Sequence, residues 1–418
     1  DTLPPQLVPR GYRVHPRFPL TGNGKVDRAA LAGDTAEDTA PGTGADRPVA
    51  ERPAVLPAAS GAGAVVLRLW AELLGPATPD SDFFDQGGDS LTAARMMNRL
   101  EAELGIRLPL TALYEAATPS GLTTLLTEAA TPPTPPGTEA APAAVPCLSR
   151  LSAAGGPPLV LVHPVGGDVL CYRPLLTRLA RTHTVWGLRA PGTLGERPPL
   201  GSVAALAREY ATELRPLFAD GAPVRLAGWS FGSVVAHETA RLLTTGADAV
   251  AARADVVMLD PWLADGDTTA GEDELLRSFF VNLSGGRAAV PAGPLAGLTG
   301  EAALARALEL ATATHPALGS LTSGSLRTLY ALYRAHSEAL AGHRFMPHAT
   351  VRTHVLESEH GLGGPAARYL RPLSRVRAAH AGPGAPRFHG VPGDHFSIVA
   401  EERADLVAGL ILGSVSDR

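Results

Sequence analysis

Residues 223–245, PVRLAGWSFGSVVAHETARLLTT, are the stretch whose reading decides the fold. Residues 224–227 form a short apolar run that favours a strand, and Gly228-Trp229-Ser230-Phe231-Gly232 follows as G-x-S-x-G. Val234, Val235, Leu242 and Leu243 then alternate with His237 and Glu238 at the spacing of an amphipathic helix. With 45 glycines in 418 residues, the pentapeptide alone carries little weight. The strand before it and the helix after it carry the inference. A strand that turns sharply into a helix through two glycines holds its serine in strained backbone, with the hydroxyl clear of the sheet. The pattern predicts Ser230 as a nucleophile rather than an ordinary turn serine.

A serine hydroxyl needs a base to take its proton and a third group to orient that base. In the α/β-hydrolase order both follow the elbow in sequence. Residues 255–259 (DVVML) form the next buried-strand pattern, and Asp260 stands at its C-terminal end before Pro261 and Trp262. Open α/β sheets keep their sites at such strand ends, so Asp260 is the expected acid. Glu357 and Glu359, after the run 350–356, are its rivals. His395 follows a Pro-Gly-Asp turn and is the expected base; His389 competes but lies inside the strand-like run 387–391. The oxyanion hole needs two backbone N–H donors. Phe231, after the nucleophile, is one. Val165, in the HPVGGD loop after the apolar run 159–162, is the other. His163, just before Pro164, reads as a loop-shaping histidine.

The remaining apolar runs fall at 184–188, 351–356 and 387–391, with helical patterns between them such as 203–218. This predicts a mostly parallel, doubly wound sheet from residue 147 on. Between about 263 and 345 the alternation lapses and helical patterns at 274–281, 301–313 and 325–341 take over, as in a lid inserted over the site. Tyr330 and Tyr333 in the last of these read as packing residues.

Composition bounds the alternatives. The net charge of -5 and 18% charged residues argue against a nucleic-acid partner. No apolar run reaches the ~20 residues of a membrane span, which argues against a membrane partner. Cys147 and Cys171 make no disulfide framework and suggest a reduced, cytoplasmic setting. No paired Cys/His spacing predicts a metal. The chain opens on Asp1 rather than Met, as a fragment of a larger protein would.

Before residue 147 the chain is organised differently. Residues 1–33 lack a core of their own and carry one prominent lysine, Lys25, beside the turn signal Asn23-Gly24. Residues 34–61 and the Pro-rich 131–146 read as linkers. Four helical elements are expected over 62–130, a small bundle. Within it, Gly87-Gly88-Asp89 precedes Ser90 at a helix start. Ser90 reads as an N-cap or as a modification site whose phosphate the helix N-terminus would favour.

Three stretches carry a resemblance. PLTGNGKVDRAAL resembles the last signature of a non-ribosomal peptide synthetase adenylation domain, in which Lys25 would contact an acyl-adenylate. FFDQGGDSLTAARM is similar to the peptidyl carrier protein motif, which implies 4′-phosphopantetheine on Ser90. HPVGG, GWSFG, LDPW and VPGDHF resemble a type I thioesterase, which supports Asp260 over Glu357. Ser233 departs from the second glycine often found there. The resemblance implies a synthetase termination module in secondary-metabolite biosynthesis, with upstream adenylation and condensation domains and a phosphopantetheinyl transferase as partners. Its expected activity is release of a peptidyl thioester by hydrolysis or macrocyclisation. The competing expectations are an editing or general esterase and a non-catalytic carrier fragment.

Overall fold

The computed structural model describes residues 61–88, 90–130, 146–152, 155–264, 270–376 and 382–416. The expected adenylation tail with Lys25, all but Gly61 of the first linker, and residues 131–145 of the second lie outside these. The described part begins with four helices, α1 (Gly61–Leu74), α2 (Ser90–Leu104), α3 (Ala112–Glu115) and α4 (Pro119–Ala130). Val66, Leu69 and Trp70 of α1 recur at helical spacing and bury against Phe83, Met96, Leu100, Leu113 and Leu122. Burial of each large side chain contributes about 1.5–3 kcal/mol, so these few residues suffice to close a small bundle.

The second part contains β1 (Leu148–Arg150), β2 (Pro158–Val162), α5 (Arg173–Leu179), β3 (Thr184–Leu188), α6 (Val203–Phe218), β4 (Val224–Trp229), α7 (Phe231–Thr244) and β5 (Ala254–Leu259). Then come β6 (Trp262–Ala264), α8 (Glu272–Leu283), α9 (Gly300–Thr314), α10 (Ser323–Ala341), β7 (Val351–Ser358), β8 (Leu370–Pro372), β9 (Arg387–Val391) and α11 (Ala404–Ser416). Seven strands form one sheet in the order β1-β3-β2-β4-β5-β7-β9, parallel except for β1. The strands are apolar on both faces because helices cover both. Val160, Val162, Leu226, Val256 and Met258 pack under α6 and α7. Leu159, Leu161, Ala227, Val257 and Leu259 pack under α5 and α11.

The chain leaves β2 for β3 on one side and returns to place β4 on the other. That reversal makes the C-terminal edge of β2 and β4 a crevice, the place where open α/β sheets bind ligands. Helices α8, α9 and α10, in the region expected as a lid, bury a core of their own, including Phe279, Phe280, Leu304 and Tyr333.

Two details go beyond the expectations. Besides the helices after Pro261, β6 pairs antiparallel with β8 in a separate two-stranded sheet. Three-residue strands are too short to show a period of two. Tyr333 packs in the lid core but also lines the cavity described below.

The helical bundle rests against the α/β part. Leu170, just after the HPVGGD loop, is buried among the bundle's own core residues. The Tyr114 hydroxyl donates to the Leu170 carbonyl at 3.2 Å. The Arg173 guanidinium lies 4.0 Å over the Phe84 ring. Ser325 in the first turn of α10 donates to Asn98 Oδ1 of α2 at 2.7 Å.

Candidate active site

Ser230 stands between β4 and α7 with φ 56° and ψ -124°; among the described non-glycine residues only Asp260, at φ 44°, shares its positive φ. Such backbone persists only where its surroundings over-determine it. Here the glycines make it possible. A Cβ on Gly232 would lie 2.2 Å from the His163 carbonyl oxygen, and one on Gly228 would lie 2.3 Å from the Gly232 carbonyl oxygen. No side chain larger than hydrogen fits either place. The serine N–H donates to the Leu259 carbonyl at 2.8 Å, which extends the β4–β5 ladder by one residue. Ser233, the departure from the usual glycine, is buried and donates to the Ser230 carbonyl.

Tyr172 clamps the sheet at the crevice. Its hydroxyl donates to the Val162 carbonyl and accepts from the Trp229 N–H, both at 2.6 Å. These are the last residues of β2 and β4, whose register ends on the pair Val162 and Gly228. Tyr172→Phe would strand a buried carbonyl and a buried N–H beside the elbow. The expected cost is about 2 kcal/mol, read as a lower urea midpoint with an unchanged slope; an unchanged midpoint would show the clamp to be idle.

Asp260 and His395, the expected acid and base, come together as buried partners. Asp260 Oδ2 accepts from His395 Nδ1 at 2.6 Å, and each side chain is 2% exposed. Trp262 Nε1 donates to the same oxygen at 2.9 Å, and the Ser358 N–H donates to Oδ1 at 2.7 Å. Burial pushes the Asp260 carboxyl up, but the hydrogen bond and charge of His395, with the Ser358 and Trp262 N–H groups, hold it below its ordinary value. His395 is fixed by its own backbone as well. Its N–H donates to the Gly361 carbonyl at 3.1 Å, and its carbonyl accepts from Trp229 Nε1 at 3.0 Å. A carboxylate held charged against Nδ1 leaves the Nε2 lone pair available as a base.

The rivals are engaged elsewhere. Glu357 accepts from the Ser374 N–H at 2.8 Å, and Glu359 is exposed. His389 Nε2 lies 3.2 Å from His354 Nδ1, within the β7–β9 pair. His163 is fully buried, and burial lowers its pKa well below the ordinary imidazole value. Its Nδ1 is 2.7 Å from the Pro164 carbonyl, which can only accept, so Nε2 accepts from the Tyr210 hydroxyl at 2.6 Å. Both nitrogens are thus occupied.

Ser230, His395, Val165 and Phe231 line one cavity of about 570 Å³, roofed by Tyr333, Ser337 and Leu340 of α10 and bounded by Leu275 and Tyr369. Phe231 opens α7, so its N–H has no carbonyl partner within the helix. Sequence reasoning did not single out Tyr172, the contact of Trp262 with Asp260, or His336 of α10, whose Nδ1 lies 2.8 Å from the Val165 carbonyl. Trp262 was visible only as the residue that closes LDPW.

At the other end of the described chain, α2 opens at Ser90, and its first-turn N–H groups favour a phosphate. A Cβ on Gly88 would lie 2.2 Å from Cε1 of the buried Phe83, and Gly87 has φ +86°. The turn leading into α2 therefore depends on both glycines. This setting fits a phosphate-linked group on the first residue of the helix.

The Thioesterase domain family matches residues 157–414, well over half of the chain. The chain belongs to that family. The Phosphopantetheine attachment site family matches residues 64–126, over the bundle. The molecule thus pairs a carrier domain, of the kind that bears covalent 4′-phosphopantetheine, with a thioesterase, an enzyme of the serine hydrolase class. The pair is homologous to synthetase termination modules. Pyochelin synthetase PchF of Pseudomonas aeruginosa is 32% identical over 458 residues, covering 96% of this chain and 24% of the relative. A dimodular nonribosomal peptide synthase of Bacillus subtilis is 32% identical over 266 residues, covering 63% of this chain and 10% of its own. A solved holo four-domain nonribosomal peptide synthetase, bound to AMP and glycine, aligns over 96% of this chain and 28% of that one, with a TM-score of 0.56 and 21% identity. The chain therefore spans a quarter or less of these two relatives' length. No helix among the described residues is long and apolar enough to cross a membrane.

Proposed function

We propose that this chain releases a peptidyl thioester from its own carrier domain, with Ser90 as the attachment residue and Ser230, His395 and Asp260 as the catalytic triad. The observation that carries this reading is the buried 2.6 Å Asp260–His395 pair beside a strained Ser230 on the wall of a single cavity. The carrier would span 62–130, the thioesterase 147–418 and the lid about 263–345, with 1–33 the tail of an adenylation domain. The phosphopantetheine arm on Ser90 would supply the sulfur leaving group of a thioester whose carbonyl belongs to the peptide. Ser230 Oγ attacks that carbonyl while His395 Nε2 takes its proton. Asp260 holds the imidazole and stabilises the imidazolium, and the N–H groups of Val165 and Phe231 receive the oxyanion. The imidazolium returns its proton to the departing sulfur, which leaves an ester on Ser230. His395 then deprotonates water or a nucleophile within the peptide, and attack on the ester frees Ser230.

Upstream synthetase domains would deliver the peptide, and a phosphopantetheinyl transferase would install the arm. The setting would be cytoplasmic. Treatment with a transferase and coenzyme A should raise the intact mass of the wild-type chain by one arm and leave Ser90→Ala unchanged. A Ser90→Ala chain that gains the same mass would move the attachment elsewhere. Product mass from a thioester of the natural peptide separates the two modes of release, since hydrolysis adds one water relative to cyclisation.

A further inference from the structure

We infer that His336, on the lid helix α10, is a positioning residue that holds both oxyanion donors in register with Ser230. The inference rests on the proposed assignment of Val165 and Phe231. His336 is fully buried. Its Nδ1 lies 2.8 Å from the Val165 carbonyl, which can only accept, so Nδ1 carries the proton. Its ring stacks on Phe231 at 4.7 Å and 20°, and on His163 at 5.1 Å and 24°. One side chain thus grips both residues from which the oxyanion donors are drawn.

The grip falls on a glycine-rich loop. Val165 is followed by Gly166 and Gly167, the latter at φ +84°; the Gly167 N–H closes the turn on the Pro164 carbonyl at 2.9 Å, but that bond leaves the Val165 carbonyl to His336. The carbonyl and N–H of Val165 flank one Cα, and tethering the carbonyl restricts the torsions that aim the N–H. The histidine is also an expensive choice for packing alone. Its Nε2 is buried without a hydrogen-bond partner, a cost that an apolar ring in the same slot would avoid. Because Tyr333 and Ser337 of the same helix line the cavity, α10 joins the wall that faces the acyl chain to the loop that faces its carbonyl.

The test uses the full chain and two probes that do not need the natural peptide: a fluorophosphonate that labels the nucleophile, and a p-nitrophenyl ester. His336→Phe keeps the ring between Phe231 and His163 but removes the Nδ1–H. Its kcat and its labelling rate should both fall about 10- to 100-fold, with KM within about twofold, since a small misplacement of the reacting groups costs up to about 10². His336→Asn sets an amide N–H near the place of Nδ1 and should recover to within about threefold of wild type. His336→Gln, with its amide one methylene further out, should not. An unslowed His336→Phe, or Asn and Gln variants of equal rate, would overturn the inference; the Asn–Gln pair decides if the Phe variant does not fold. The Ser230→Ala control separates the two claims. Labelling that persists there removes the elbow assignment and this inference with it, whereas labelling confined to Ser230 with an unslowed His336→Phe removes the inference alone.

Discussion

Ser230→Ala should load the phosphopantetheine arm on Ser90 as fully as wild type and release product at least about 10⁴-fold more slowly. The two serines lie in different units of the fold, Ser90 at the head of α2 and Ser230 between β4 and α7. Alanine also has the smallest side chain able to report on the hydroxyl alone, because the strain at φ 56° is set by Gly228 and Gly232 rather than by Oγ. Knocking out the nucleophile of a triad leaves only what the oxyanion hole and binding supply, and in serine proteases the loss reaches about 10⁶ in kcat. A thioester is a more reactive acyl donor than an amide, which shrinks the gap. The measurement is single turnover of an acyl-loaded chain, followed by intact mass. Acyl loss from the mutant at the wild-type rate would take the elbow out of the mechanism.

The positions of Ser230, Asp260 and His395 at strand ends were legible because each is a local event. The apolar runs that became β4, β5 and β9 end at Gly228, Asp260 and Pro392, and the end of a buried parallel strand is where this fold presents side chains. The helix read over 203–218 is α6, capped by Ser202, which accepts from the Ala205 N–H. What remained hidden was contact across long stretches of chain. Tyr172 reaches Trp229, 57 residues on, and His336 reaches Val165, 171 residues back. Periodicity can place His336 on the inner face of a helix but cannot say that a carbonyl waits there. The backbone of Asp260 was hidden in another way. Pro261 disfavours the right-handed helical region for the residue before it, and aspartate tolerates the left-handed one. The observed φ of 44° ends β5 abruptly at the acid.

Asp260→Asn should lower kcat by about 10² to 10³, while Glu357→Gln and Glu359→Gln stay within a few-fold of wild type. Asp260 spends every oxygen on a donor: Oδ2 on His395 Nδ1 and Trp262 Nε1, Oδ1 on the Ser358 N–H. An asparagine there must turn its NH₂ toward one of those donors. Facing Ser358, it sets two N–H groups against each other in a buried site. Facing His395, it forces Nδ1 to become the acceptor and moves the imidazole proton to Nε2, the atom that has to be bare to take the Ser230 proton. In serine proteases the equivalent exchange costs about 10⁴ through that wrong tautomer; a thioester asks less of its base, so the expected loss is smaller. Glu357 gives one oxygen to the Ser374 N–H, and a glutamine carbonyl can accept the same bond. Glu359 is exposed and has nothing buried to lose. Steady-state rates on a small thioester for the three variants decide the matter. Should Glu357→Gln be the crippled enzyme and Asp260→Asn turn over normally, the acid of the triad would sit after β7 rather than β5, and the buried Asp260–His395 hydrogen bond would have no catalytic role.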